Sequence, residues 1–235
     1  MQKPDPVNAY FERYPITHPA YMVARISGRL IRDRAGKYFS GRLIEIGCGD
    51  KSKGLLVGDF VTEHIGLDHE GSPHDTSNVD IFGSAYDIPQ DDESFDSVLS
   101  TAVLEHLEDP QAALREACRV LKSSGFAIYT APLFWHLHEE PRDFFRYTRY
   151  GLDYLFRAAG FKVIEIIPMS GFWITFGTEF SYYLEQFPIV PIAKILKSMI
   201  LLVNMLLSLL ERYYWRFQPG SDTWTWMYMV VARKP

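Results

Sequence analysis

Two short motifs contain the residues whose types and spacing suit cofactor chemistry. An apolar run at 43–46 leads into Gly47-Cys48-Gly49, and a second apolar run further on ends at Asp68. Two glycines let the main chain turn tightly and approach a ligand without a Cβ in the way. A carboxylate at the tip of the next strand can accept hydrogen bonds from ribose hydroxyls. The pair predicts a site for a nucleotide-like cofactor, with a plain glycine turn after a buried strand as the alternative.

The turn lacks one glycine of the dinucleotide-binding fingerprint. That fingerprint is Gly-x-Gly-x-x-Gly, whereas Gly49 is followed by Asp50, Lys51 and Ser52. No glycine therefore stands where a bound pyrophosphate would require one. A nicotinamide-dependent oxidoreductase is kept only as an alternative function.

Hydrophobic patterning places these motifs in an alternation of strands and helices. Strands are predicted at 42–46, 64–67, 79–82, 95–100, 126–131, 161–167 and 224–232. Helices are predicted over 18–39, from Asp109-Pro110 onward, and from the capping residue Thr148 to Gly160. Such alternation indicates parallel βαβ units, which bind ligands at the carboxyl edge of the sheet.

Composition favours a single α/β domain over residues 1–235, in which 1–40 form an N-terminal arm and helix. A chain of 235 residues buries enough surface to need no covalent staples. The two cysteines, Cys48 and Cys118, show no metal-ligand spacing and suit a reducing compartment. A net charge of -5 argues against nucleic acid as the main partner, because that binding neutralises phosphates. No basic and apolar leader follows Met1, so we expect a cytoplasmic protein.

The order and spacing of further motifs resemble the class I S-adenosylmethionine-dependent methyltransferases, specifically the type 11 group. The matching motifs are Glu45-x-Gly47-x-Gly49, Gly66-Leu67-Asp68, Asp87-Ile88-Pro89, and the segments 94–98, 103–110 and 119–125. The resemblance covers about residues 41 to 163. It implies a Rossmann-like α/β fold with a mostly parallel seven-stranded sheet in the order 3-2-1-4-5-7-6, strand 7 antiparallel, and helices on both faces. It also implies S-adenosyl-L-methionine as methyl donor and S-adenosyl-L-homocysteine as product.

The same resemblance implies a set of donor-binding residues. They are Glu45, Gly47, Cys48, Gly49, Asp68, Ser84, Ala85, Thr101, Ala102 and Val103. Within this set, Glu45 is expected to hold the methionine ammonium and Asp68 the ribose hydroxyls. Ser84 lies where the family reads adenine, yet family members usually have an acidic residue there. That departure leaves room for a regulatory or scaffolding protein that binds the donor without catalysis.

An oxygen or carbon acceptor must lose a proton during methyl transfer, and histidine has a suitable pKa for taking it. His106 lies beside the expected methyl end, where an architectural role is the alternative. His136 and His138 belong to a second motif at 136–148, which resembles a methyltransferase subgroup linked to bacterial surface-glycan or lipid-linked metabolism. We predict His138 as the base and Arg146 as an anion-binding group. We therefore expect methyl transfer to an oxygen, or less readily a carbon, of a small or lipid-linked glycan acceptor.

Two other uses of the second motif remain open. Arg142 or Arg146 paired with Asp143 or Glu140 would make it a structural network. A metal site is not predicted, because His136 and His138 alternate along an extended chain and no third ligand is evident.

An apolar helical insertion is predicted at 171–220, before the last strand. The uncharged apolar run within its segment 187–217 is too short to span a bilayer as a helix. As a helix, this segment has an apolar face wider than packing against one surface requires. Three uses compete: packing on its own domain, a dimer or partner interface, and contact with the inner surface of the cytoplasmic membrane. We predict that the excess apolar face is used outside the core fold.

Overall fold

Seven strands form one sheet in the computed structural model, which describes residues 6–186, 193–214 and 223–235. The strands are β1 (Arg42–Ile46), β2 (Glu63–Asp68), β3 (Ile81–Phe82), β4 (Phe95–Thr101), β5 (Leu121–Pro132), β6 (Lys162–Pro168) and β7 (Met227–Arg233). Their order is β3-β2-β1-β4-β5-β7-β6, and β7 is antiparallel to both of its neighbours. The predicted order and orientation are confirmed.

Two strands are shorter than predicted because side chains replace part of their pairing. The seventh strand was predicted from Trp224 but begins at Met227, since the Thr225 hydroxyl accepts the backbone N–H groups of Met169 and Ser170 at 2.9 and 3.0 Å. The third strand was predicted from Val79 and is reduced to two residues. Just before it, an Asp80 carboxylate oxygen accepts the Gly66 N–H at 2.6 Å.

Helices cover the sheet on both faces. They are α1 (Pro6–Glu12), α2 (Tyr21–Tyr38), α3 (Gly54–Val57), α4 (Pro110–Val120), α5 (Arg149–Ala158), α6 (Phe172–Glu185) and α7 (Ala193–Tyr214). The two predicted N-caps are confirmed. Asp109 accepts the N–H of Ala112 at 2.9 Å, and the Thr148 hydroxyl accepts that of Gly151 at 3.1 Å. Such caps satisfy N–H groups that the first helical turn leaves unpaired.

Alternating side chains divide the core into two layers. Ile44 belongs to the cluster that contains buried residues of α4 and α5, whereas its neighbour Leu43 belongs to the cluster with α2, α6 and α7. Successive strand residues point to opposite faces, so the two clusters lie on the two sides of one sheet. The carboxyl ends of the parallel strands β1 to β5 therefore meet at one edge, between the two layers.

The predicted insertion consists of α6 and α7, and residues 187–192 and 215–220 of it lie outside the described part of the chain. On α7, Asn204 is buried and its amide donates to the carbonyls of Ile16 and His18 at 2.8 and 3.0 Å. Among the side chains of this helix that the structure describes, the exposed apolar ones are Ile195, Met199, Leu202, Met205, Leu206 and Leu209. Among the described helices, none has the length and apolar character needed to cross a bilayer.

The N-terminal segment packs on the same layer. Tyr10 of α1 is buried against α2, and Arg13 pairs with Asp50 in the loop after β1. The arm predicted at the start of 1–40 thus contains a short packed helix from Pro6 onward, and residues 1–5 lie outside the described residues.

Candidate active site

The turn after β1 needs glycine at both predicted positions. Gly47 and Gly49 have φ values of +70° and +50°, a region that side chains disfavour. A Cβ on Gly47 would lie 2.4 Å from a methyl carbon of Val103, so this turn packs directly on the loop after β4. Between the glycines, burial raises the pKa of the Cys48 thiol to about 12, which keeps it uncharged at neutral pH.

Asp68 is fixed at the end of β2 as the sequence predicted. Its side chain is buried, one oxygen accepts the Gly49 N–H at 2.7 Å, and the other accepts the His69 N–H at 2.8 Å. Each oxygen keeps a further lone pair, because a carboxylate offers about four acceptor sites. A carboxylate held in this way suits a vicinal diol, so these residues fit the ribose of the expected donor.

Glu45 lies on the same edge with a partner that the sequence did not indicate. Its carboxylate is buried, and one oxygen lies 2.9 Å from Nε2 of His64 on β2. Its contact with a methionine ammonium stays a prediction.

The predicted adenine end is a turn after β3. The Ser84 hydroxyl accepts the N–H of Tyr86 at 3.1 Å, and Ala85 lies between them. Phe82, which pairs with Asp68 across the strands, is 49% exposed at this place. The sequence analysis did not single out Phe82, because an aromatic residue in a short strand ordinarily indicates core packing.

The predicted methyl end is the loop of Thr101, Ala102 and Val103 after β4. Ala102 has a φ of +56°, and its N–H donates to the carbonyl of Thr130 on β5 at 3.1 Å. Non-glycine residues rarely adopt this conformation, and those that do cluster at functional sites. The turn directs the chain into a one-turn 3-10 helix at Leu104–His106, which lies over the carboxyl edge.

His106 and His138 come together from distant parts of the chain. Their ring centroids are 4.8 Å apart, edge to face. Nδ1 of His106 lies 2.7 Å from the carbonyl oxygen of Arg142, and Nδ1 of His138 lies 3.3 Å from both the carbonyl of His136 and a carboxylate oxygen of Asp143. Nε2 of His106 lies 3.8 Å from a carboxylate oxygen of Glu139. The carbonyl acceptors place a proton on Nδ1 of His138, and in the neutral ring this leaves the lone pair on Nε2. Burial lowers the pKa of His138, so this lone pair is available at neutral pH.

Glu105 is a site residue that the sequence analysis missed. The side chain is 0% exposed, and neither carboxyl oxygen has a hydrogen-bond partner in the structure. Burial raises the pKa of this carboxyl to about 8. The sequence analysis included Glu105 only as one residue of a family motif. It predicted no buried role for it, because carboxylates are seldom fully buried without a partner.

Arg146 is placed differently from its predicted role. Its guanidinium donates to both Asp143 oxygens at 2.5 and 2.7 Å and to the carbonyls of Trp135, Phe145 and His136. These contacts use the five N–H donors that an arginine has, and the ion pair lowers the pKa of Asp143 to about 2. The structural network is therefore favoured over anion binding, and Arg146 fixes the 136–148 loop. The side chain of His136 lies outside this network, with Nδ1 3.0 Å from a Glu179 oxygen.

Comparison with known proteins identifies the family behind this geometry. Residues 44–129, which contain the Gly47–Gly49 turn, Asp68 and the His106 segment, match the methyltransferase domain family. Residues 44–129 are therefore identified as a methyltransferase domain. The nicotinamide-dependent alternative is set aside by this match.

The methyltransferase domain has relatives with several functions. The chain is 34% identical over 98 residues to a rice chloroplast 2-methyl-6-phytyl-1,4-hydroquinone methyltransferase. This match covers 40% of the chain but only 29% of the rice protein. A Haemonchus contortus phosphoethanolamine N-methyltransferase solved with S-adenosylhomocysteine is 17% identical, with a TM-score of 0.56. The match covers 89% of this chain and 52% of the Haemonchus chain. The [4+2]-cyclase SpnF is 21% identical, with a TM-score of 0.57, and covers 89% and 81%. At these identities the two solved structures show a common fold.

Proposed function

We propose that the protein transfers a methyl group from S-adenosylmethionine to an oxygen of a small or lipid-linked acceptor. The observation that carries this proposal is the methyltransferase domain with Asp68 fixed beside the glycine turn and two histidines over the loop at its methyl end. Transfer forms an oxygen–carbon bond, breaks the carbon–sulfur bond of the sulfonium, and releases S-adenosylhomocysteine and a proton. Two free cysteines in the described chain suit the cytoplasm as its location.

The residues of this chain have separate tasks in that reaction. Asp68 holds the ribose hydroxyls, the turn at Gly47 brings the main chain close to the methionine portion, and Glu45 faces its ammonium. Val103 closes the donor side against Gly47. Because direct displacement depends chiefly on alignment and exclusion of water, these contacts supply most of the catalysis. The Nε2 lone pair of His138 promotes loss of the acceptor's proton, which contributes typically 10²–10⁴-fold.

Donor binding is tested by calorimetric titration of the purified chain with S-adenosylmethionine. We expect micromolar affinity, lost in Asp68→Ala and retained in His138→Ala. Absence of binding at millimolar donor contradicts the proposal. The acceptor is then sought by incubating the protein with methyl-labelled donor and fractionated cell extract. Label should enter one fraction with wild type, and His138→Ala should transfer it roughly 10²–10⁴ times more slowly.

A donor-binding protein without methyl transfer is the second candidate. Ser84 occupies the place of the usual acidic residue, and a cyclase shares the fold, so this fold does not by itself imply methyl transfer. In the labelling experiment this candidate would bind the donor with micromolar affinity and transfer label to no fraction, polar or lipid.

A further inference from the structure

Three side chains beside the methyl end bring metal-ligand atoms together. One carboxyl oxygen of Glu105 and one ring nitrogen each of His106 and His138 lie within 4.8 Å of one another. The first two residues come from the 3-10 helix after β4, and His138 comes from the loop after β5. The sequence argument against a metal rested on the alternation of His136 and His138 and on the lack of an evident third ligand. His136 is not part of this cluster, and its Nδ1 lies 3.0 Å from a Glu179 oxygen. The further ligands, Glu105 and His106, come from the 3-10 helix after β4, which is distant from His138 in sequence.

The buried carboxyl points to a missing charge partner. Glu105 is fully buried, and neither of its oxygens has a hydrogen-bond partner in the structure. Burying an ionised carboxylate without a partner is costly, so such a group is neutralised by a proton or compensated by a cation. The nearest arginine, Arg146, already uses its N–H donors on Asp143 and backbone carbonyls. Neither adjacent imidazole makes a hydrogen bond to this carboxyl.

Both imidazoles already make the second contact that metal-binding histidines usually need. Metal-bound histidines typically donate their other ring N–H to a carbonyl or carboxylate, which fixes the tautomer and the ring orientation. His106 does so to the carbonyl of Arg142 at 2.7 Å, and His138 does so to a carbonyl and to Asp143. Asp143 is in turn held by Arg146. The loop that Arg146 fixes is thus the support of one ligand.

We propose that Glu105, His106 and His138 bind a divalent transition metal, with Zn²⁺ as the ion that the two nitrogens and one carboxylate suit best. Bonds of about 2.0–2.2 Å to a tetrahedral ion put ligand atoms roughly 3.4 Å apart, so the three must close by about 1–1.5 Å. Three protein ligands leave a fourth position open, as in catalytic zinc sites.

The site deepens the proposed function and rests on it for its chemistry. When bound, the ion would lower the pKa of an acceptor hydroxyl at the fourth position, so that its proton would pass to solvent water and its oxygen would attack the methyl carbon. In that state His138 would hold the ion, and it would take the proton itself only in a site without metal. The acceptor class this selects is an alcohol or phenol, rather than a carbon acid.

The experiment measures the metal alone, without donor or acceptor. The full chain is stripped with a chelator and titrated with Zn²⁺ by calorimetry and with Co²⁺ by visible absorption. We expect one equivalent bound in the micromolar range or tighter, with an absorption spectrum typical of four- or five-coordinate Co²⁺. His138→Ala and Glu105→Gln should each weaken Zn²⁺ binding by more than the roughly 10–100-fold that loss of an outer-shell partner costs.

His136→Ala is the matched control, because this neighbouring histidine lies outside the cluster, and it should bind Zn²⁺ like wild type. Circular dichroism and a parallel titration with S-adenosylmethionine show whether each variant is folded. Absence of stoichiometric binding, or equal binding in wild type, Glu105→Gln and His138→Ala, overturns the metal site while leaving donor binding intact. Absence of S-adenosylmethionine binding to the wild-type protein would instead contradict the proposed function, whatever the result of the metal titration.

Discussion

Gly47 is the residue at which the two halves of the proposed donor site meet. Its φ of +70° and the 2.4 Å approach of Val103 to the position of a Cβ exclude any side chain from an unchanged turn. We expect Gly47→Ala to destabilise the protein by about 2–4 kcal/mol, from a left-handed alanine and an overpacked contact. Donor affinity should fall more than 10-fold. Urea unfolding and donor titration measure the two effects.

A second alanine variant separates the cost of backbone strain from the cost of the steric contact with Val103. In Gly49→Ala the φ of +50° is strained, but the nearest atom to the new Cβ is a His74 carbon at 3.4 Å, an ordinary contact. Its stability loss should be the smaller of the two, about 1–2 kcal/mol. Equal stability of wild type and Gly47→Ala would show that the Val103 contact is not maintained in solution.

Individual residues differ in how far the sequence could predict them. Asp68 and the glycines were predictable because strand-end position and backbone freedom are local properties. Glu105 and Arg146 were not, since their roles depend on partners. Arg146 could have bound an anion or Asp143, and only the folded loop determines which oxygens its guanidinium contacts. The approach of His106 to His138 likewise requires two loops to meet over the sheet.

At the scale of elements, α4 holds the turn that leads into Ile88. Glu116 on this helix accepts the Ile88 N–H at 2.8 Å and pairs with Arg119 at 2.7 Å. Mainly through its hydrogen bond to Arg119, the pKa of Glu116 is lowered from its ordinary value of 4.5. A carboxyl whose pKa is lowered on folding stabilises the fold above its unfolded pKa, and this contribution is lost as pH falls through the lowered folded value.

Glu116→Gln should therefore cost about 1–3 kcal/mol at pH 7. The difference from wild type should begin to shrink below pH 4.5 and be lost once the pH is below the folded pKa. Urea unfolding at neutral and acidic pH measures it. Glu70→Gln, an exposed carboxylate in the loop after β2, serves as the control and should change little. A Glu116→Gln penalty that persists in acid would mean that shape rather than charge holds the turn.

The elements were largely predictable because their signals are local. Periodicity and caps gave α2, α4 and α5 within a few residues, and the sheet order followed from the family resemblance. The orientation of α7 was not predictable in this way. On a helical wheel Asn204 belongs to a polar stripe, which would ordinarily face solvent. Here its amide is buried against two carbonyls of the N-terminal segment, which lies far away in sequence.

At the scale of the whole molecule, this orientation leaves an apolar surface facing outward. Leu202, Leu206 and Leu209 are each more than half exposed. Scattered apolar residues are normal on protein surfaces, but a contiguous row on one helix is typical of an interface or a membrane contact. We expect the purified protein either to float with anionic liposomes or to run as a dimer on sizing. Liposome flotation and sizing together show which of these two associations occurs.

The triple variant Leu202→Lys, Leu206→Lys, Leu209→Lys should abolish whichever association is found. Its melting temperature should stay near wild type, because these side chains contribute little to the core. Leu207→Lys is the contrasting control: this leucine is buried, so the charge should destabilise the fold by several kcal/mol. A wild-type monomer that ignores liposomes of every charge would leave α7 as a helix that only packs on its own domain.

The thiol between the two glycines makes the donor turn observable by chemical labelling. Cys48 is buried and uncharged at neutral pH, and thiol reagents react with the accessible thiolate. Its alkylation rate therefore reports how often the turn opens, once half-buried Cys118 has been replaced by alanine. A bound donor would hold the turn closed and slow the reaction. The chain thus carries its own reporter of cofactor occupancy, readable by mass spectrometry without knowledge of the acceptor.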